Sequence, residues 1–196
     1  MNKEKSFSLI ELLVAITIFM LVISSAVGLF VSSIRSQSKL LTSQKILDET
    51  GYAIEYMSRA LRMAKKETKT DPAELCLSST GSNYNNPTGQ SSIRFINYND
   101  QCQEFFLDGD QLKEKRAVSS NDASHKFSDL PTSGVALTSA GFTVSKAIFL
   151  IQGDTHTPSD DGIQPRVTIV LEIGKGSANK IQIQTTISQR DLDVVE

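Results

Sequence analysis

Histidine and cysteine are scarce in this 196-residue chain, with two of each. His125 and His156 stand in separate polar loops, and no acid or thiol accompanies either at a catalytic spacing, so both read as surface imidazoles. Neither Cys76 nor Cys102 has a Cys-x-x-Cys partner or a nearby histidine, which argues against a zinc-type site. No Gly-x-Gly-x-x-Gly follows a strand pattern and no Walker lysine motif occurs, so nucleotide chemistry has no cradle. Charge of one sign is lacking too. The 20 basic and 22 acidic side chains leave a net charge of -2. That balance gives no polybasic field for nucleic acid or anionic lipid, and no acidic tail. Proline is absent before Pro72. Between Ile34 and Lys66 the only glycine is Gly51, so little there breaks a helix. These absences leave no recognisable catalytic cluster, argue against a direct nucleic-acid grip, and leave a long helix intact.

What the chain does have is one long apolar run. Leu12–Ile34 carries no charge; Glu11 precedes it and Arg35 closes it. At about 23 residues it is long enough to cross roughly 30 Å of hydrocarbon as a helix. Its polar members, Thr17, Ser24, Ser25, Ser32 and Ser33, are able to return their hydroxyls to helical carbonyls. Ordinary secretory cleavage is disfavoured, because the run exceeds a signal h-region and lacks an Ala-x-Ala site. Flanking charge orients it weakly: Lys3 and Lys5, offset by Glu4, lie before it, and Arg35 and Lys39 beyond.

Helical periodicity continues past the run. Leu47, Ile54, Met57, Leu61 and Ala64 form one expected apolar stripe, which predicts a nearly continuous helix over Ser8–Lys66, roughly 85–90 Å long at 1.5 Å per residue. Lys65 and Lys66 suit its end, and Thr68–Pro72 stops it. Gly28 is expected to kink it little, since glycine keeps its N–H and brings no ring clash. Residues 73–91 read as a turn-rich loop. Strands follow at Ile93–Tyr98 and Cys102–Leu107 around an Asn99–Gln101 turn, then at Gln111–Val118 after Asp108–Asp110, making a short meander. A polar loop over 119–134 precedes a strand at Phe142–Ile151. Two alternating strands close the pattern. Arg166–Ile173 turns Val167, Ile169, Leu171 and Ile173 inward, and Ile181–Ile187 turns Ile181, Ile183 and Ile187 inward, with Gly174–Asn179 as a loose hairpin. The reading is α+β: about half a dozen strands with one face to cover, and one long helix to cover it. The tail Asp191–Glu196 is expected to fray.

Lys5-Ser6-Phe7-Ser8-Leu9-Ile10-Glu11-Leu12-Leu13-Val14 resembles the processing signal of type IV prepilins and pseudopilins. The resemblance implies a basic leader cut between Ser6 and Phe7 by prepilin peptidase, N-methylation of Phe7, and an assembly role for Glu11, whose carboxylate meets the amino terminus of a neighbouring subunit. Ser6 stands where the family usually has glycine, and it is likewise small. The resemblance also implies a pilin-like fold, with the first half of the helix in the membrane and the second half packed on an antiparallel sheet. The implied division is a cytoplasmic leader (1–6), a transmembrane helix (7–34), its continuation (35–66), an extracytoplasmic β-rich domain (67–190) and a tail (191–196). The protein would then sit in the inner membrane as a single pass, its amino terminus cytoplasmic. Its partners would be prepilin peptidase, other minor and major pilins or pseudopilins, and the assembly platform. The final strands, ending Gln184–Arg190, are similar to those of the larger J-type minor pseudopilins of type II secretion and their pilus counterparts.

In an exported domain the Cys76 and Cys102 pair is most simply a disulfide. Two unrelated thiols in a cytoplasmic domain are the alternative. Some pseudopilins bind calcium in a late loop, and Asp154, Asp160 and Asp161 within Gly153–Gly162 offer hard oxygen ligands. Their spacing matches no EF-hand, so an acidic solvated turn is the expectation, Asp108 and Asp110 are weaker candidates still, and no cofactor is expected. Two functions compete: a filament subunit, and a single-pass anchored binding or sensor domain that never polymerises. The motif at Ser6–Glu11 favours the first, because a simple anchor has no use for a specific cut before Phe7.

Overall fold

A computed structural model of the chain describes residues 8–117, 126–153, 163–176 and 179–190. It divides between Gln44 and Lys45 into two compact units. One helix, α1 (Leu9–Arg62), runs through that boundary and passes Gly28 and Gly51 without interruption. In the first unit every apolar side chain from Leu9 to Ile34 that is large is exposed, Leu9 and Leu29 by about three quarters. Thr17 and Ser25 donate their hydroxyls to the carbonyls of Val14 and Val22, each at 2.8 Å, so these polar groups are satisfied within the helix.

In the second unit the buried stripe of α1 is Ile46, Thr50, Ala53, Met57 and Leu61. The expected stripe began at Leu47, which instead is 48% exposed. One position is a 100° rotation on a helix, and the buried Thr50 explains the offset. Its hydroxyl donates to Ile46 O at 2.6 Å, so a residue that reads as polar enters the core without an unmet group.

The helix also stops earlier than Lys66. The carbonyls at its end accept hydrogen bonds from the β-rich part of the chain rather than from another turn. Tyr84 Oη donates to Leu61 O at 2.7 Å, the Arg190 N–H to Arg62 O at 2.9 Å, and Gln189 Nε2 to Ala64 O at 2.8 Å. Lys65 N–H meanwhile bonds Ile96 O at 2.9 Å, drawing the chain into extended pairing. Tertiary donors thus do the work of a C-cap.

Among the described residues nine strands follow: β1 (Tyr84–Asn85), β2 (Pro87–Gln90), β3 (Ser92–Ile96), β4 (Cys102–Asp108), β5 (Gln111–Arg116), β6 (Val135–Ala136), β7 (Thr143–Gln152), β8 (Arg166–Lys175) and β9 (Asn179–Ser188). All but β2 join two antiparallel sheets, ordered β1-β3-β4-β5-β6 and β7-β8-β9, rather than one. The turn-rich stretch 73–91 therefore contributes two short strands. The loop expected over 119–134 holds a 3₁₀ turn at Phe127–Asp129, and β6 follows it immediately. The Asn99–Gln101 turn forms as expected. Asn97 Oδ1 accepts the N–H groups of Asn99 and Gln101, and Asp100 takes the left-handed conformation at φ 60° that aspartate tolerates. Pairing of β8 with β9 extends to Lys175–Asn179, so that hairpin is tighter than expected.

One core joins these parts. Ile46, Met57 and Leu61 of α1 meet Phe95 and Phe105 of the first sheet and Phe149, Ile169 and Leu171 of the second. Val167, Ile169, Leu171 and Ile173 all face inward, as their alternation requires.

Candidate functional site

The helix opens on Ser8, whose carbonyl accepts the N–H groups of Glu11 at 3.0 Å and Leu12 at 3.2 Å. Glu11 is the one acidic residue in the first turn, where the unsatisfied N–H groups and the helix dipole favour a negative charge. Its neighbours are apolar and exposed: Leu9 by 76%, Ile10 by 69% and Leu12 by 58%. The carboxylate therefore sits in a collar of uncovered hydrocarbon side chains. Ser6 and Phe7, the residues of the expected cut, lie outside the described residues. Among the described residues, one helix is long and apolar enough to cross a membrane, and it is the one that Glu11 opens.

Cys76 and Cys102 form a disulfide with Cα atoms 5.5 Å apart. It joins the segment after the helix to the start of β4 and is buried with Leu77, Ile96 and Ala117. On the chain-entropy account, a bridge closing a loop of this span contributes about 3.5 kcal/mol. A buried carboxylate that the sequence reading missed holds the same segment. Glu67 accepts the Cys76 N–H at 2.9 Å, the Leu77 N–H at 3.3 Å and the Lys69 N–H at 3.0 Å. No local pattern marks Glu67 as buried, because its donors come from residues as far as ten positions away.

A second polar constellation lies where α1 meets the first sheet. Tyr56 Oη donates to Glu114 Oε2 and accepts from Arg116 Nη2, both at 2.7 Å. Glu114 Oε1 also accepts from Gln103 Nε2 at 2.9 Å and from Arg116 Nη2 at 2.7 Å, and Asn97 Nδ2 donates to Gln103 at 3.1 Å. Burial first, then the hydrogen bond and charge of Glu114, push the Tyr56 phenol up from 10.0 to about 12. The folded protein therefore holds this proton more tightly than the unfolded chain does. Its stabilising share is complete below pH 10 and disappears as pH rises towards 12. In a spectrophotometric titration, Tyr56→Phe is expected to remove one phenol that ionises about two pH units late. Loss of an ordinarily ionising phenol instead would refute the assignment.

Arg94 and Glu104 face each other across β3 and β4, paired at 2.9 Å and both largely buried, with Phe127 stacked 4.1 Å from the guanidinium. This is a structural pair: each charge neutralises the other and leaves no free group for chemistry. The weak calcium candidates Asp154, Asp160 and Asp161, with His125 and His156, lie outside the described residues. Among the described residues, no group of three or more His, Cys, Asp or Glu side chains is placed to hold a metal ion.

Comparison with known proteins bears on the helix start alone. Residues 1–27 match the model of the prokaryotic N-terminal methylation motif. No curated protein and no solved structure matches the chain. The matched segment covers Glu11 and most of the apolar run, so the chain joins a prepilin-type methylation motif to a pilin-like α+β architecture.

Proposed function

We propose that the chain is a minor pilin or pseudopilin, a structural subunit of a short filament of the type II secretion or type IV pilus kind, and that it works through interfaces rather than catalysis. The observation that carries this reading is the continuity of the methylation motif with α1, which runs on from an exposed apolar segment to the core of the β-rich domain. In this reading prepilin peptidase cuts between Ser6 and Phe7 and methylates Phe7. Leader 1–6 stays in the cytoplasm, residues 7–34 span the inner membrane, and residues 67–190 lie outside it. The buried disulfide supports that orientation, since such bonds persist in oxidising compartments. Other pilin-like subunits and the membrane assembly platform are its partners, and the strand-rich second half suits a larger, J-type subunit near the filament tip. Neither nucleic acid nor a cofactor is required.

N-terminal peptide analysis of membrane-extracted protein tests the first step. The expected first residue is N-methyl-Phe7. Recovery of intact Met1 from cells with an active peptidase would defeat the reading, because an unprocessed leader leaves no amino terminus for assembly.

A further inference from the structure

Above the Tyr56–Glu114–Arg116 network lies a slot of about 590 Å³, within the size range of recognition pockets. Ala60, Met63 and Tyr98 form its apolar walls, and Arg59 and Arg116 stand at its rim. Met63 is 41% and Tyr98 60% exposed, large apolar surfaces that the fold leaves uncovered. The two guanidinium groups still have donors to give. Among the described residues Arg59 engages Nε, on its ion-pair partner Glu55, and Arg116 engages Nε and Nη2, on its ion-pair partner Glu114 and on Tyr56. Both oxygens of Glu114 are already occupied, by Tyr56 on one side and by Gln103 and Arg116 on the other. Lys65 and Asp100 likewise satisfy each other nearby. Glu114 is thus held in place, while each rim arginine, ion-paired through one edge at 2.7 Å, keeps further N–H groups that no other described residue engages, beside an exposed apolar wall.

Tyrosine, arginine and methionine are the side chains enriched where proteins bind proteins, and here they converge on a preformed slot. Carboxylates complement the rim, because arginine pairs them through directed, charge-assisted hydrogen bonds. We propose that this slot docks a segment of a partner protein in which one large apolar side chain is flanked by carboxylates. The apolar side chain would lie between Met63 and Tyr98, and the carboxylates would reach Arg59 and Arg116. The site is built wholly from residues 56–116, so the proposal depends neither on leader cleavage nor on polymerisation.

The test uses the full chain in neutral detergent and two labelled, capped pentapeptides, each with a central phenylalanine, one flanked by glutamates and one by lysines. Fluorescence anisotropy is expected to show the glutamate peptide binding at least about tenfold more tightly than the lysine peptide. Arg59→Glu, at an exposed position, should reverse that preference, and Arg59→Gln should abolish it without reversal. Tyr98→Ala should weaken the glutamate peptide by about tenfold while the thermal transition stays in place. Absence of saturable binding, equal binding of the two peptides, or an unchanged preference in Arg59→Glu would overturn the proposal. Concentration-dependent self-association that Arg59→Glu abolishes would also overturn it, by making a second copy the occupant.

Discussion

Phe105→Ala is expected to cost about 3–5 kcal/mol of stability. Phe105 is fully buried on β4 and holds the two layers together. Its ring meets Tyr56 of α1 edge-on at 6.0 Å and Phe95 of β3 at 5.4 Å. Truncation therefore opens a cavity on the seam between helix and sheet, and neither flanking ring can close it without leaving its own contacts. The adjacent Phe106 is the internal control. Successive strand residues face opposite sides, and Phe106 is only half-buried, with Lys115 4.6 Å from its ring centre. Phe106→Ala should cost less than half as much. The measurement is the denaturant midpoint of the full chain, followed by near-ultraviolet circular dichroism with the slope unchanged. Equal losses for the two variants would mean that β4 does not present Phe105 to a shared core.

The contrast between neighbouring positions also separates what the sequence makes legible from what it hides. Alternation of Val167, Ile169, Leu171 and Ile173 identifies β8 and its buried face, because period two has no other solution in a half-buried strand. The disulfide is legible because only two cysteines exist. The place of Glu11 in the first turn of α1 is legible because it heads an uncharged, helix-forming run. Division of the strands into two sheets is not legible, since alternation states which way a side chain points and not which strand lies alongside. The choice of Ile46 over Leu47 turns on Thr50, a residue whose hydroxyl is satisfied by its own helix and so enters the core. Long-range donors likewise decide where α1 stops: Tyr84, Gln189 and Arg190 reach the last carbonyls from as far as 128 positions away. The Tyr56–Glu114–Arg116 network is hidden for the same reason, with 58 and 60 positions separating its partners.

Glu11→Gln is expected to leave membrane insertion and the sheet domain intact while lowering filament incorporation by about ten- to hundredfold. The substitution keeps the shape and removes the charge. Glu11 stands exposed in the first turn of α1, far in sequence from the buried residues of the core, so its neutralisation removes no contact from the second unit. Its carboxylate is flanked by Ile10 and Leu12, and in a membrane it would be unfavourable without a cation. In the function proposed above, the leader is cut and the Phe7 amine of a neighbouring subunit would supply that cation, the pair exchanging much of the desolvation penalty for Coulomb attraction and a charged hydrogen bond. Such a bond is worth about 1.5–3 kcal/mol, which sets the expected fall in incorporation. Glu11→Ala should lose at least as much. Leader cleavage should persist in both variants, since the peptidase reads chiefly the residues at the cut, and methylation of Phe7 should be the more sensitive step. The readout is crosslinking and copurification with partner subunits at equal membrane abundance. Full incorporation of Glu11→Gln would mean that the carboxylate only marks the interface with water, and the assembly contact would then have to lie elsewhere on the chain.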